Sequence, residues 1–153
     1  MDEPEARRRF AAARVGRLAT VRHHGTPHLV PVVFTLVDDV LYSAVDSKPK
    51  TTMLPQRLVN IEATGRASLL VDEYSEDWSG LWWVRVDGSA MVLDPHGSKH
   101  RRTIRRPGRP DQVGVAIEAL TAKYPQYVSE PPTGPVIAIR LTRWRWWEAT
   151  ATP

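Results

Sequence analysis

Apolar and polar positions alternate with a period of two along most of this chain, broken by shorter stretches of helical period. The chain opens in helical phase: Ala6, Phe10 and Ala13 share one face, Pro4 suits a first turn, and Gly16 ends the run. Strand-like runs follow at 17–21 (RLATV), 28–37 (HLVPVVFTLV) and 40–45 (VLYSAV), separated by HHGTP and DD. Turn residues at such short spacing predict antiparallel hairpins. A second helix is predicted from Thr52 to Ala63, with Met53, Leu54, Leu58 and Ile61 apolar and Pro55 near its start.

Further strands are predicted at 66–74 and 81–93, then a helix whose face is Val113, Ala116, Ile117, Leu120 and Tyr124, closed by Pro125. The loop 130–135 (EPPTGP) leads into a final strand at 136–148. In the run 81–93, Trp82, Val84, Val86, Ala90 and Val92 fall on one side of the pleat. Trp83, Arg85, Asp87, Ser89 and Met91 fall on the other. A strand dressed on both faces is expected to be central. Five or six antiparallel strands with two or three helices predict a mainly β protein, a small barrel with helices at its mouth.

Composition narrows this picture. The 153 residues fit a single domain, 42% hydrophobic and 25% charged. Without cysteine there are no disulfides, thiol nucleophiles or cysteine-ligated metals. The acidic start MDEPE is unlike a signal peptide, and no window reaches the ~18 apolar residues of a membrane span. A soluble, cytoplasmic protein with no membrane partner is therefore expected. The net charge is +4 and arginine outnumbers lysine among the 21 basic residues, a bias that fits a GC-rich coding genome. Such a surface attracts phosphates, carboxylates or nucleic acid.

Four features carry candidate chemistry. DSKPKT, 46–51, sets Lys48 and Lys50 around Pro49 where a strand ends, with Thr51 leading into a helix. That arrangement suits an anion, through the lysines and the unpaired N–H groups of a helix start; it also reads as a solvated loop. His23, His24 and His28 surround a turn but lack metal-ligand spacing, so no metal is predicted. Five of the six tryptophans sit at 82–83 and 144–147, suiting a core, an interface or a planar ligand. The basic run 99–110 has no interleaved aromatic residue; it reads as a solvated loop more readily than as a nucleic-acid site.

Six pieces in order, RLATV…GTPHLVPVVF, LYSAVDSKPKTT, RLVNI, LLVDEYSEDWSGLWWVRVDGSA, KYPQY and TGPVIAI, resemble the pyridoxamine phosphate oxidase-like split-barrel family. The nearest likeness is to its actinobacterial branch, which uses the deazaflavin coenzyme F420. The resemblance implies a six-stranded antiparallel split β-barrel over 1–153 and a homodimer with cofactor sites at the subunit interface. Pro31, Val32 and Val33 would lie along the tricyclic ring, and Ser43, Ala44 and Val45 along the ribityl chain. Lys48, Pro49, Lys50 and Thr51 would hold the phosphate, with Arg57 assisting. Trp82 or Trp83 would come from the partner subunit, and this pair replaces an Arg-Gln pair typical of the oxidases. The implied activity is hydride transfer from the reduced deazaflavin to a small electrophilic substrate. The alternatives are an FMN-dependent oxidoreductase of the same fold and a non-catalytic deazaflavin carrier. No residue stands out as the proton donor.

Overall fold

The structure, a computed structural model, describes residues 1–45, 54–94 and 111–149. The predicted cradle Lys48, Pro49, Lys50 and Thr51 lies outside the described residues, as do the first two residues of the predicted second helix and the basic run 99–110. The described elements are α1 (Glu3–Ala12), β1 (Gly16–Val21), β2 (Pro27–Val32), β3 (Thr35–Val37), β4 (Val40–Ala44), α2 (Gln56–Thr64), β5 (Arg66–Glu73), β6 (Trp82–Leu93), α3 (Gln112–Lys123), α4 (Gln126–Ser129) and β7 (Val136–Glu148). No described helix is long and apolar enough to cross a membrane.

The strands form one antiparallel sheet in the order β2-β1-β5-β6-β7-β4-β3. This corrects the expected count of six, and the hydrogen-bonded ladder is not closed. The run 28–37 is two strands: among the described residues β2 pairs only with β1 and β3 only with β4. Proline accounts for the first of these edges. Pro27 and Pro31 lack N–H donors, so a strand carrying both is suited to an edge. Since β2 and β3 are joined by Val33 and Phe34 alone, the two open edges of the curled sheet meet at that link. The result is a split barrel.

β6 is central, as its two dressed faces predict, pairing with β5 and β7 along its length. Val84, Val86 and Ala90 point into the barrel and are buried; Arg85, Ser89 and Met91 point out. A bulge in β7 sets Asp87 opposite Arg143 and Gly88 opposite Leu141, leaving Thr142 as the extra residue. A β-carbon at Gly88 would collide with the Arg140 carbonyl, so glycine is required there.

The helices close the remaining faces. Asp2 caps α1, accepting from the Glu5 N–H at 2.9 Å, and hydrogen bonds from Arg8 and Arg9 hold the Glu5 carboxyl down at about 2. Ala6 and Phe10 of α1 enter the barrel mouth, where Phe10 meets Phe34 and Trp144 at ring separations of 5.1 and 5.2 Å. α2 packs on β1 and β6 and ends at Gly65, whose φ of 66° suits glycine. α3 uses its predicted face: Ala116, Leu120 and Tyr124 are buried against Tyr42, Ala44, Val136 and Ala138. β4 is thus covered on both sides, with Leu41 in the barrel and Tyr42 under α3, which explains why its sequence does not alternate. Each large side chain buried this way contributes about 1.5–3 kcal/mol.

Candidate functional site

The link between β2 and β3 is where the site is built. The β2 ladder stops at Val32, opposite Gly16, and the β3 ladder starts at Thr35, opposite Tyr42. Val33 and Phe34 belong to neither, so their backbone groups need other partners. The Ser43 hydroxyl donates to the Val33 carbonyl at 2.8 Å. The Tyr124 hydroxyl accepts the Phe34 N–H at 3.0 Å, and its own proton goes to the Phe34 carbonyl at 2.7 Å or the Arg14 carbonyl at 2.9 Å. Burial pushes the Tyr124 hydroxyl pKa up, which keeps that proton in place. The Val33 N–H has no hydrogen-bond partner among the described residues.

Two predicted segments therefore meet. Pro31, Val32 and Val33 run exposed, buried and half-buried along the open edge of β2. Ser43, Ala44 and Val45 end β4 beside them: Ser43 is buried, and the Val45 N–H donates to the Pro135 carbonyl at 2.9 Å. Gly134 lies so close to the Val45 carbonyl that a β-carbon would not fit. Arg57 sits half-buried in the first turn of α2, beyond the segment that holds the predicted lysine cradle.

Trp82 and Trp83 part company. Trp82 faces inward and packs on the barrel core, with the Arg9 guanidinium 5.3 Å from its ring centre. Trp83 faces outward, opposite Asp72 on β5 and Trp147 on β7. The next row across the outer face places Arg85 between Leu70 and Arg145, and the one after places Asp87 between Ser68 and Arg143. Arg17 pairs with Asp72 at 2.9 Å and Arg85 with Asp87 at 3.3 Å. A groove of about 510 Å³ on this face is lined by Val21, Arg66, Ser68, Asp87, Ser89 and Thr142. The alternation of β6 predicted which side chains face out, but the groove depends on strands distant in sequence.

His23 and His24 lie exposed in the β1–β2 turn, where His24 Nδ1 is 3.0 Å from the Thr26 hydroxyl; His28 points inward, half-buried. Among the described residues no three His, Cys, Asp or Glu side chains are grouped to hold a metal ion. Tyr124 is the residue that sequence reasoning assigned only to packing. The available signal was its place in KYPQY together with its burial on an apolar helix face, where a hydroxyl needs a partner.

Comparison with known proteins agrees with this architecture. No curated protein matches the sequence. A conserved hypothetical protein from Mycobacterium tuberculosis is 20% identical, with a TM-score of 0.69 over 97% of this chain and 85% of that one. An FAD-binding protein from Mesorhizobium loti is 22% identical, with a TM-score of 0.63 over 95% and 94%. A heme binding protein from Mycobacterium smegmatis is 21% identical, with a TM-score of 0.70 over 97% of this chain and 54% of that one. At these identities the likeness is one of fold. The family model described as pyridoxamine 5'-phosphate oxidase matches residues 2–148, and the chain belongs to that family.

Proposed function

We propose that this protein is a coenzyme F420-dependent reductase acting as a homodimer on small electrophilic organic substrates. The observation that carries the reading is the β2–β3 link. It offers a backbone edge, Pro31 to Val33, with an N–H at Val33 that no described residue takes, next to the buried end of β4. Such an edge suits the heteroatoms of a tricyclic ring better than it suits solvent. The Mesorhizobium loti protein of the same fold binds FAD, which supports a flavin-type ligand. The choice of the deazaflavin rests on Trp82-Trp83 standing where oxidases carry Arg-Gln, and on the basic balance of the chain.

When bound, the reduced deazaflavin would supply the hydride. The chain's part is to hold the ring along Pro31–Val33, to exclude water with the apolar residues around the link, and to bind the phosphate through Lys48, Lys50 and Thr51 with help from Arg57. The homodimer is supported by apolar side chains on the outer face. Leu29 is 65% exposed and Val21 43% exposed on adjacent strands, and Trp147 is 43% exposed beside Trp83. In a dimer the outward Trp83 would be the aromatic residue offered to the other subunit's site, with Trp82 retained by its own core.

Titration of the purified protein with coenzyme F420 and with FMN, at low and high salt, tests the reading. The deazaflavin should bind more tightly and with the steeper salt dependence, because its acidic extension meets exposed charges screened over about 10 Å at 0.1 M salt. Lys50→Ala should weaken it roughly ten- to a hundredfold, the loss of about 1.5–3 kcal/mol from a charge-assisted hydrogen bond. FMN binding as tight as that of the deazaflavin would assign the protein to the flavin users. Binding without turnover of quinones or enones would make it a carrier. A heme reading has one observation in its favour, the inward His28 whose Nδ1 is buried without a hydrogen-bond partner among the described residues. A Soret band on adding hemin, with neither tricyclic cofactor bound, would replace the proposal.

A further inference from the structure

We propose that Tyr124 is a positioning residue for the cofactor site, acting through the single peptide unit that joins Val33 to Phe34. The inference rests on the flavin-type reading above and deepens it. A planar peptide unit carries one carbonyl and one N–H. Here the carbonyl is that of Val33, held by the Ser43 hydroxyl at 2.8 Å, and the N–H is that of Phe34, held by the Tyr124 hydroxyl at 3.0 Å. Two side-chain hydroxyls, from β4 and from the end of α3, thus pin the two polar ends of one peptide plane where both ladders have stopped. With that plane fixed, Val33 is anchored on one side, which restrains the exit of the backbone edge whose Val33 N–H faces no described partner.

Tyr124 is itself held in place. Its hydroxyl spans the Phe34 and Arg14 carbonyls, the Arg14 guanidinium lies 4.6 Å from its ring centre, and Tyr127 meets it edge-on at 6.0 Å. Lys123 beside it donates to the Ala11 carbonyl at 2.8 Å and lies 4.2 Å from the centre of the Phe34 ring. KYPQY therefore has a physical role. It closes the end of α3 over the split in the barrel and locks the residues flanking the split to α1. Truncating only the hydroxyl would leave the ring packing and release the peptide plane.

The test uses Tyr124→Phe in the full chain, titrated with FMN, riboflavin and coenzyme F420 well below its melting temperature. Tyr124→Phe should weaken riboflavin and FMN alike, by roughly tenfold, and shift the absorption band of the bound ring. Lys50→Ala should instead weaken FMN and spare riboflavin, which has no phosphate. A merely structural role would lower the melting temperature and leave both affinities and the spectrum of the folded protein unchanged; that result overturns the proposal. Should Tyr124→Phe fail to fold, Ser43→Ala releases the other end of the same peptide and should reproduce the riboflavin and FMN pattern; wild-type affinity for both would overturn it. Wild-type titration judges the cofactor reading separately: protein that binds no tricyclic ligand removes that reading and this inference with it, whereas tight wild-type binding with an indifferent Tyr124→Phe removes only the inference.

Discussion

Removing the Phe10 ring tests whether α1 is a structural plug or a loosely attached arm. The ring is fully buried and contacts two aromatic partners, Phe34 at 5.1 Å and Trp144 at 5.2 Å, the latter edge-on at 71°. Phe→Ala in a core costs about 3–5 kcal/mol, and aromatic pairs each add roughly 0.5–1.5 kcal/mol beyond burial. Two such pairs keep Phe10→Ala out of the lower part of that range, at about 4 kcal/mol. For a domain of this size each kcal/mol shifts the melting temperature by about 2–4 °C, so a fall of roughly 8–16 °C is expected. Urea unfolding followed by far-UV circular dichroism gives the free energy directly, provided the slope m is unchanged. A loss under about 1 kcal/mol would refute the plug. A lowered m with a second, earlier transition would show α1 unfolding by itself, in spite of its Arg9–Glu148 ion pair at 2.8 Å.

Two other perturbations probe the bulge and the split. Gly88→Ala drives a β-carbon against the Arg140 carbonyl and should cost about 1–3 kcal/mol by thermal melting; wild-type stability would disprove the close approach. Burial, aided by the nearby Arg14, depresses the Lys123 amine to about 8 from its ordinary 10.5, against the opposing pull of the Ala11 carbonyl and the Phe34 ring. The unfolded chain then binds more protons between about pH 8 and 10.5, so wild-type stability should rise across that window relative to Lys123→Met, and parallel pH curves would refute it.

Much of the fold was legible because burial follows local period. α3 buries the residues its 3.6-residue spacing selects, and β6 divides its side chains as a two-residue period requires. The failures have definite causes. The run 28–37 reads as one strand because Val33 and Phe34 are as apolar as their neighbours; only the exchange of partner from β1 to β4 breaks it. The short helix α4 falls after Pro125, a proline that reads as the end of the preceding helix although the same residue can begin the next.

The site divides along a similar line. Sidedness within one strand was readable, so the sequence separated Trp82 from Trp83, and the structure assigns the first to the core and the second to the outer face. What joins Val33 to Ser43 and Phe34 to Tyr124 was not, since those partners stand 10 and 90 residues apart. A tyrosine on the apolar face of a helix announces that its hydroxyl must find a partner, for an unpaired one costs about 1–3 kcal/mol. It does not announce which. That choice became available only once the barrel had opened its ladder at one peptide, leaving a buried N–H for the hydroxyl to take. The same break that defeats a strand reading at 33–34 therefore creates the backbone edge on which the proposed ring would lie.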